Sequence, residues 1–265
     1  MDREFTVHKP VLKVREGQPE EIEDLVIIET PVTIYLNGDE LVTLLCSPDK
    51  LEYLALGFLR SEGLISKMED LEAIRVREEE GLIEVDLKEG AGLAEKLYGK
   101  RTVTSGCGKG TVFFSALDSL RSSPLTGNLR ISSEKVLELM NSMQEKAELY
   151  KNTGGVHSAA LADSDKILLF CEDIGRHNAI DKIVGQCLHE GISTEDKVIV
   201  SSGRLSSEIL LKAAKLKIQL LISRAAPTSL CLELAENLNI TLVGFARGKR
   251  CNIYTHAWRI KFFPG

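Results

Sequence analysis

The chain has 265 residues, of which 43% are hydrophobic and 27% charged, the balance of a globular protein long enough for one large core or two small ones. Its net charge of −6 argues against a general binder of nucleic acid or anionic membrane. The charged start Met1-Asp2-Arg3-Glu4 does not resemble a secretory leader, and no run reaches the ~18 apolar residues of a membrane span. Cys46, Cys107, Cys171, Cys187, Cys231 and Cys251 include no C-x-x-C pair, so a reducing, cytoplasmic setting is expected rather than a zinc ribbon or a redox couple.

Residues up to about Glu29 mix charged and apolar positions and give weak signals. Thr33–Leu36 and Leu41–Leu45 then flank Asn37-Gly38, a hairpin signal because both turn positions tolerate positive φ. Ser47-Pro48-Asp49 predicts a helix start, with Leu51, Leu54, Ala55, Phe58 and Leu59 at helical spacing and Gly63 as the stop. Ala73–Arg77 and Leu82–Leu87 predict a second strand pair around the acidic turn Glu78–Gly81. Gly90–Tyr98 predicts a short helix ahead of Thr104-Ser105-Gly106-Cys107-Gly108-Lys109-Gly110. In that stretch one cysteine sits among glycines with a lysine two residues on, so its thiol is expected to be accessible and its thiolate favoured; the alternative is a flexible connector that happens to carry a cysteine. Residues 1–125 therefore read as an α+β domain ending in the Cys107 loop, and Arg121–Asn128, with Pro124 and Gly127, as a linker.

Residues 130–265 read as a second, α/β domain. Ser132 or Ser133 caps an amphipathic helix that buries Val136, Leu137, Met140, Met143 and Ala147. Strands Ser158–Ala162, Ile167–Phe170, Val198–Ser201, Leu220–Ser223 and Thr241–Phe245 then alternate with helices over 176–189, 206–216 and 228–237. This order predicts a mostly parallel sheet with helices on both faces. Ligands of such sheets gather beyond the strand ends. There the loops carry Gly155 and His157, Arg176 and His177, Gly203 and Arg204, Arg224, and the run Phe245-Ala246-Arg247-Gly248-Lys249-Arg250. Any single arginine could pair with Glu172, Asp173 or Glu208. Four successive loops with the same bias point instead to a phosphate-bearing, nucleotide-sized ligand, with helix N-termini after Gly175 and Gly203 adding backbone donors. His157 and His177 could contact that ligand or move protons, whereas His8 and His189 read as surface residues and His256 as structural. The phosphate-loop pattern fails at Gly110 and Val103. The element order resembles that of nucleobase deaminases, but H-x-E and C-x-x-C are absent, so no zinc or other metal site is expected.

The stretches Glu172-Asp173-Ile174-Gly175-Arg176-His177-Asn178-Ala179-Ile180-Asp181-Lys182 and Ser202-Gly203-Arg204-Leu205-Ser206-Ser207-Glu208 resemble the FdhD family, the sulfur-carrier accessory proteins of formate dehydrogenase. So do Thr153–His157, Ser223–Ser229 and Gly244–Gly248. The resemblance implies a cytidine-deaminase-like fold without zinc, a homodimer, and a sulfurtransferase acting by persulfide relay. Sulfur would pass from a cysteine desulfurase to the molybdenum (or tungsten) bis-molybdopterin guanine dinucleotide cofactor, held as bound substrate and destined for formate dehydrogenase. It further implies that Cys107 carries the persulfide and that Phe245–Arg250 meet the cofactor. Many members read C-G-x-C in the loop; here the second thiol is Gly110, so the implied relay uses one cysteine. A non-catalytic chaperone of the same cofactor is the alternative.

Overall fold

The computed structural model describes residues 5–90 and 124–262. Cys107 and the expected helix over Gly90–Tyr98 lie outside the described residues apart from Gly90 itself. The chain opens with a feature the weak early signals did not indicate, a ribbon of β1 (Thr6–Arg15) and β2 (Gln18–Ile27). Its turn is Glu16-Gly17, both at positive φ. No residue of the ribbon is buried, so no burial-driven alternation marks it in the sequence.

A four-stranded sheet follows, built from β3 (Thr30–Leu36), β4 (Asp39–Cys46), β5 (Leu71–Arg77) and β6 (Leu82–Leu87) in the order β4-β3-β6-β5. Asn37 and Gly38 form the expected positive-φ turn. Helix α1 (Leu51–Glu62) buries Leu51, Leu54, Ala55, Phe58 and Leu59 against Val32, Ile34, Ile83 and Val85 of this sheet. Gly63 ends it at φ 82°. The expected start is wrong by a few residues: α1 begins after Lys50, which is left-handed and caps nothing with its side chain. The Ser47 hydroxyl is engaged elsewhere, accepting the Ile174 N–H at 3.2 Å.

The second part contains β7 (Ile131–Ser132), α2 (Ser133–Lys146), α3 (Glu148–Thr153), β8 (His157–Ala162), β9 (Ile167–Asp173) and α4 (Arg176–Glu190). Next come β10 (Val198–Ser201), α5 (Ser207–Lys215), β11 (Leu220–Ser223), α6 (Ser229–Leu238), β12 (Thr241–Arg247), β13 (Arg250–Ile253) and β14 (Ile260–Lys261). Six of these strands form one sheet in the order β13-β12-β11-β10-β8-β9. The mostly parallel arrangement needs correcting to a mixed one. Only β10, β11 and β12 are parallel neighbours; β8 is antiparallel to both β9 and β10, and β13 to β12. The reason is local: short turns after Ala162 and Arg247 make hairpins, and a hairpin cannot join parallel neighbours. Alternate residues divide the sheet's faces. Leu161, Ile199, Leu221 and Leu242 pack under α4, α5 and α6, while Ala160, Val200, Ile222 and Val243 pack with Val136, Met140 and Met143 of α2.

The two parts meet along α1 and α4. A Cβ on Gly57 would lie 1.7 Å from the Asp181 carbonyl oxygen, and one on Gly185 would lie 1.9 Å from that of Tyr53. Only glycine permits so close a crossing. Polar contacts extend the seam: Ser61 Oγ donates to Asp181 at 2.7 Å, and Lys212 reaches the other Asp181 oxygen at 2.5 Å. The described end of the expected linker is pinned as well, since Leu125 N–H donates to Leu238 O and Leu125 O accepts from Asn239.

Candidate functional site at the strand ends

The sheet directions bring the singled-out loops to one edge. β9 through Asp173, β10 through Ser201, β11 through Ser223 and β12 through Arg247 end there, and antiparallel β8 and β13 begin there at His157 and Arg250. Backbone hydrogen bonds lace neighbouring loops together: Ser202 N–H to Ser158 O, Arg224 N–H to Ser201 O, Leu205 N–H to Ala226 O and Phe245 N–H to Ala225 O. The edge is thus a braced rim rather than a row of independent turns.

Most of the Glu172–Lys182 motif proves to hold the rim. Glu172 accepts the N–H groups of Leu149 and Tyr150 at 3.0 Å each, which caps α3. Burial nevertheless pushes its carboxyl up, against those donors. Asp173 and Lys182, both fully buried, pair at 2.7 Å. Asp173 also accepts from Ser47 N–H, Gly175 N–H and Asn178 Nδ2, and Lys182 donates to Ser47 O. Every oxygen of the buried carboxylate is therefore satisfied, as a buried charge requires. This knot fixes the turn that presents Arg176 and His177.

Those two residues are half-buried and face the rim's neighbouring loop. Arg176 lies over Gly203, where a Cβ would come within 2.9 Å of it, so a glycine is needed for the guanidinium to cross from the β9 end to the β10 loop. Its Nε is buried without a partner. His177 Nε2 sits 3.0 Å from Glu208, which is held below the usual carboxylate range chiefly by that hydrogen bond. His157 Nδ1 lies 3.3 Å from Ser202 Oγ. Burial first, then the positive Arg176 and His177 nearby, push its imidazole below 6.5. Arg204 is exposed; Arg224 receives Arg247 Nε on its carbonyl at 2.9 Å.

At the far end Phe245 is held at φ 50°, an uncommon angle for a bulky residue, with the residue 36% exposed and the Arg247 guanidinium 5.8 Å from the ring centre. Gly248, at φ 57°, makes the turn that exposes Lys249 and Arg250. Ala246 departs from expectation: it is fully buried in the core on the α2 side. Gly155 is exposed but packs at its ribbon side, where a Cβ would meet Ile27 at 2.7 Å. A helix does start after Gly175, α4 at Arg176, but none starts after Gly203, because α5 begins only at Ser207 and Ser206 caps it.

The internal pairing open to these arginines does not occur. Among the described residues Arg176, Arg204, Arg224, Arg247, Lys249 and Arg250 form no ion pair, since Glu172 caps α3, Asp173 holds Lys182 and Glu208 holds His177. Ser202, Ser206 and Ser47 are contributors that sequence reasoning does not assign to the rim, Ser47 being expected only as the cap of α1. The first two lie inside a quoted motif, but Ser47 is 126 residues from Asp173 and no local pattern connects them. Among the described residues no group of three His, Cys, Asp or Glu side chains is placed to hold a metal ion.

Fold and rim together define a mixed α/β protein with a cationic strand-edge site whose nearby carboxylates are engaged by other partners. The chain belongs to the FdhD/NarQ family, whose model matches residues 27–261. It is 44% identical over 261 residues to the sulfur carrier protein FdhD of Bacillus subtilis (strain 168), covering 98% of this chain and 100% of that relative. Over 252 residues it is 42% identical to the protein of the same name from Geobacillus kaustophilus, covering 95% and 96%. A crystal structure of a provisionally assigned formate dehydrogenase accessory protein from Desulfotalea psychrophila superposes with a TM-score of 0.79 at 28% identity, over 97% of this chain and all of that one.

Proposed function

We propose that this protein is a sulfur carrier serving formate dehydrogenase, and that its strand-edge rim binds the bis-molybdopterin guanine dinucleotide cofactor, with molybdenum or tungsten, as a substrate to be sulfurated. The observation that carries the reading is the unpaired rim: six cations at one edge of an acidic protein, with neighbouring carboxylates already committed to other partners. Guanidinium groups take pyrophosphate oxygens in pairs, and Phe245 beside Arg247 offers a face for a planar heterocycle. The names of the relatives support the sulfur-carrier role.

In the proposed relay the Cys107 thiolate attacks the terminal sulfur of a persulfide on a cysteine desulfurase. A new S–S bond forms on Cys107, the donor's S–S bond breaks, and the donor leaves as its thiolate. Delivery then moves one neutral sulfur atom to the cofactor metal, returns Cys107 to a thiol and oxidises the metal by two electrons. A homodimer, a deaminase-like second domain over 130–265 and a cytoplasmic setting belong to the same reading. Among the described residues no helix is long and apolar enough to cross a membrane.

Gly110, in the place of the family's usual second cysteine, favours one competing reading, a chaperone that binds the cofactor without carrying sulfur. Mass spectrometry separates the two. The relay requires wild-type protein to gain one sulfur atom on Cys107 after incubation with a cysteine desulfurase and cysteine, and Cys107→Ser to gain none; a serine variant that still supports formate dehydrogenase would leave only the chaperone. The rim is tested by calorimetry with guanosine diphosphate. Arg247→Ala should weaken binding about 10-fold or more, the loss of one charge-assisted contact, and unchanged affinity would place the nucleotide elsewhere.

A further inference from the structure

The β1–β2 ribbon takes no part in the site, and its charge pattern is unusual. The register sets Val7 opposite Val26, Lys9 opposite Asp24, Val11 opposite Ile22 and Lys13 opposite Glu20. Residues opposite one another in an antiparallel pair share a face. One face therefore runs, from base to tip, through an apolar row, a plus–minus row, a second apolar row and a second plus–minus row, and ends in Arg15 opposite Gln18. The other face carries Leu25 and Ile27 and is the one turned to the body: Ile27 lies against Gly155, and Leu25 lines a cavity with Leu149 and Phe170. The Val7 face is thus the outward one at the base, where Val7 and Val26 are each 38% exposed. Although in register, Lys9, Asp24, Lys13 and Glu20 form no ion pair with one another or with any other described residue. A freestanding two-stranded ribbon is marginal in water and gains from a cover.

We infer that the Val7 face docks on the same face of a second copy, the two ribbons lying in the same direction about a two-fold axis parallel to their strands. That axis puts β1 of one copy over β2 of the other. Val7 meets the second copy's Val26, Val11 meets its Ile22, and Lys9 and Lys13 meet its Asp24 and Glu20. Each charged row becomes a square of alternating signs, and each apolar row is covered by another. An axis across the strands would instead set Lys9 over Lys13 and Asp24 over Glu20. The pattern is complementary to itself in one orientation only, which is why a second copy is the occupant. Leu12 and Val14, on the opposite face, are not part of this contact. The inference supplies an interface for the homodimer of the proposed function and rests on that reading.

Sedimentation velocity on the full-length chain tests it. Wild type should be a dimer. Lys9→Glu/Lys13→Glu leaves Arg15 as the face's only cation and Glu20→Lys/Asp24→Lys removes its only anions, so each variant alone should dimerise about 10-fold more weakly or worse. An equimolar mixture of the two should recover a mixed dimer, which a merely unfolded ribbon would not. A monomeric wild type overturns the dimer reading itself. Variants that dimerise like wild type overturn only this interface, and so does dissociation without recovery on mixing.

Discussion

Phe245 is held in a backbone region that costs a non-glycine residue about 1–3 kcal/mol, yet its ring is partly open to solvent beside Arg247. Strain retained at an exposed ring is best explained by what the ring meets. Phe245→Gly removes strain and ring together, so its two effects have opposite signs. Relief of about 1 kcal/mol of backbone strain should offset most of the lost packing, so the urea midpoint stays near wild type while guanosine diphosphate affinity falls; a large loss of stability would mean the ring is merely structural. His157 offers a second residue-level test. Its folded-state imidazole titrates below 6.5, its ordinary value, because of burial and then Arg176 and His177. As pH falls below 6.5, the unfolded chain accepts a proton that the folded one resists, so this group's contribution is intact above 6.5 and lost below it. His157→Gln should flatten the difference between urea midpoints measured at about pH 7.5 and about pH 5.5.

At the scale of elements, legibility followed periodicity. Helix α2 and strands β3 and β6 have one buried face, and burial wrote its spacing into residues such as Val136, Met140 and Met143, while β8, β10 and β11 are short runs buried on both faces. The ribbon buries nothing, α3 has six residues, and β13 alternates only partly buried positions, so each lacked that mark. The rim's composition was legible because its arginines stand next to strand ends. Their freedom from carboxylates was not, since it depends on where Glu172, Asp173 and Glu208 point. The clearest case is Lys182, read as part of a family motif and found sealed with Asp173 under Ser47. Lys182→Met leaves that carboxylate buried and uncompensated, which should cost about 3–5 kcal/mol in urea denaturation. A loss below about 1 kcal/mol would show that the knot is solvated.

For the molecule as a whole, the knot and the Gly57–Gly185 crossing make the first part a component of the site although no rim cation belongs to it. The backbone turn that carries Arg176 and His177 is fastened to Ser47, so damage to the four-stranded sheet should register as lost ligand affinity before the rim itself changes. The acidic balance of the chain and its cationic rim are then compatible features of one surface: net charge limits indiscriminate contacts with polyanions, and on the proposed reading local charge selects one ligand.

The Lys182–Ser47 contact spans 135 residues of chain. During synthesis the first part emerges long before its counterpart, and it must wait with the glycine-notched side of α1 uncovered until α4 has left the ribosome. Closing so long a loop is slow, and until it closes neither Asp173 nor Lys182 has its full set of partners. Until then the half-made chain should be the form most exposed to proteolysis.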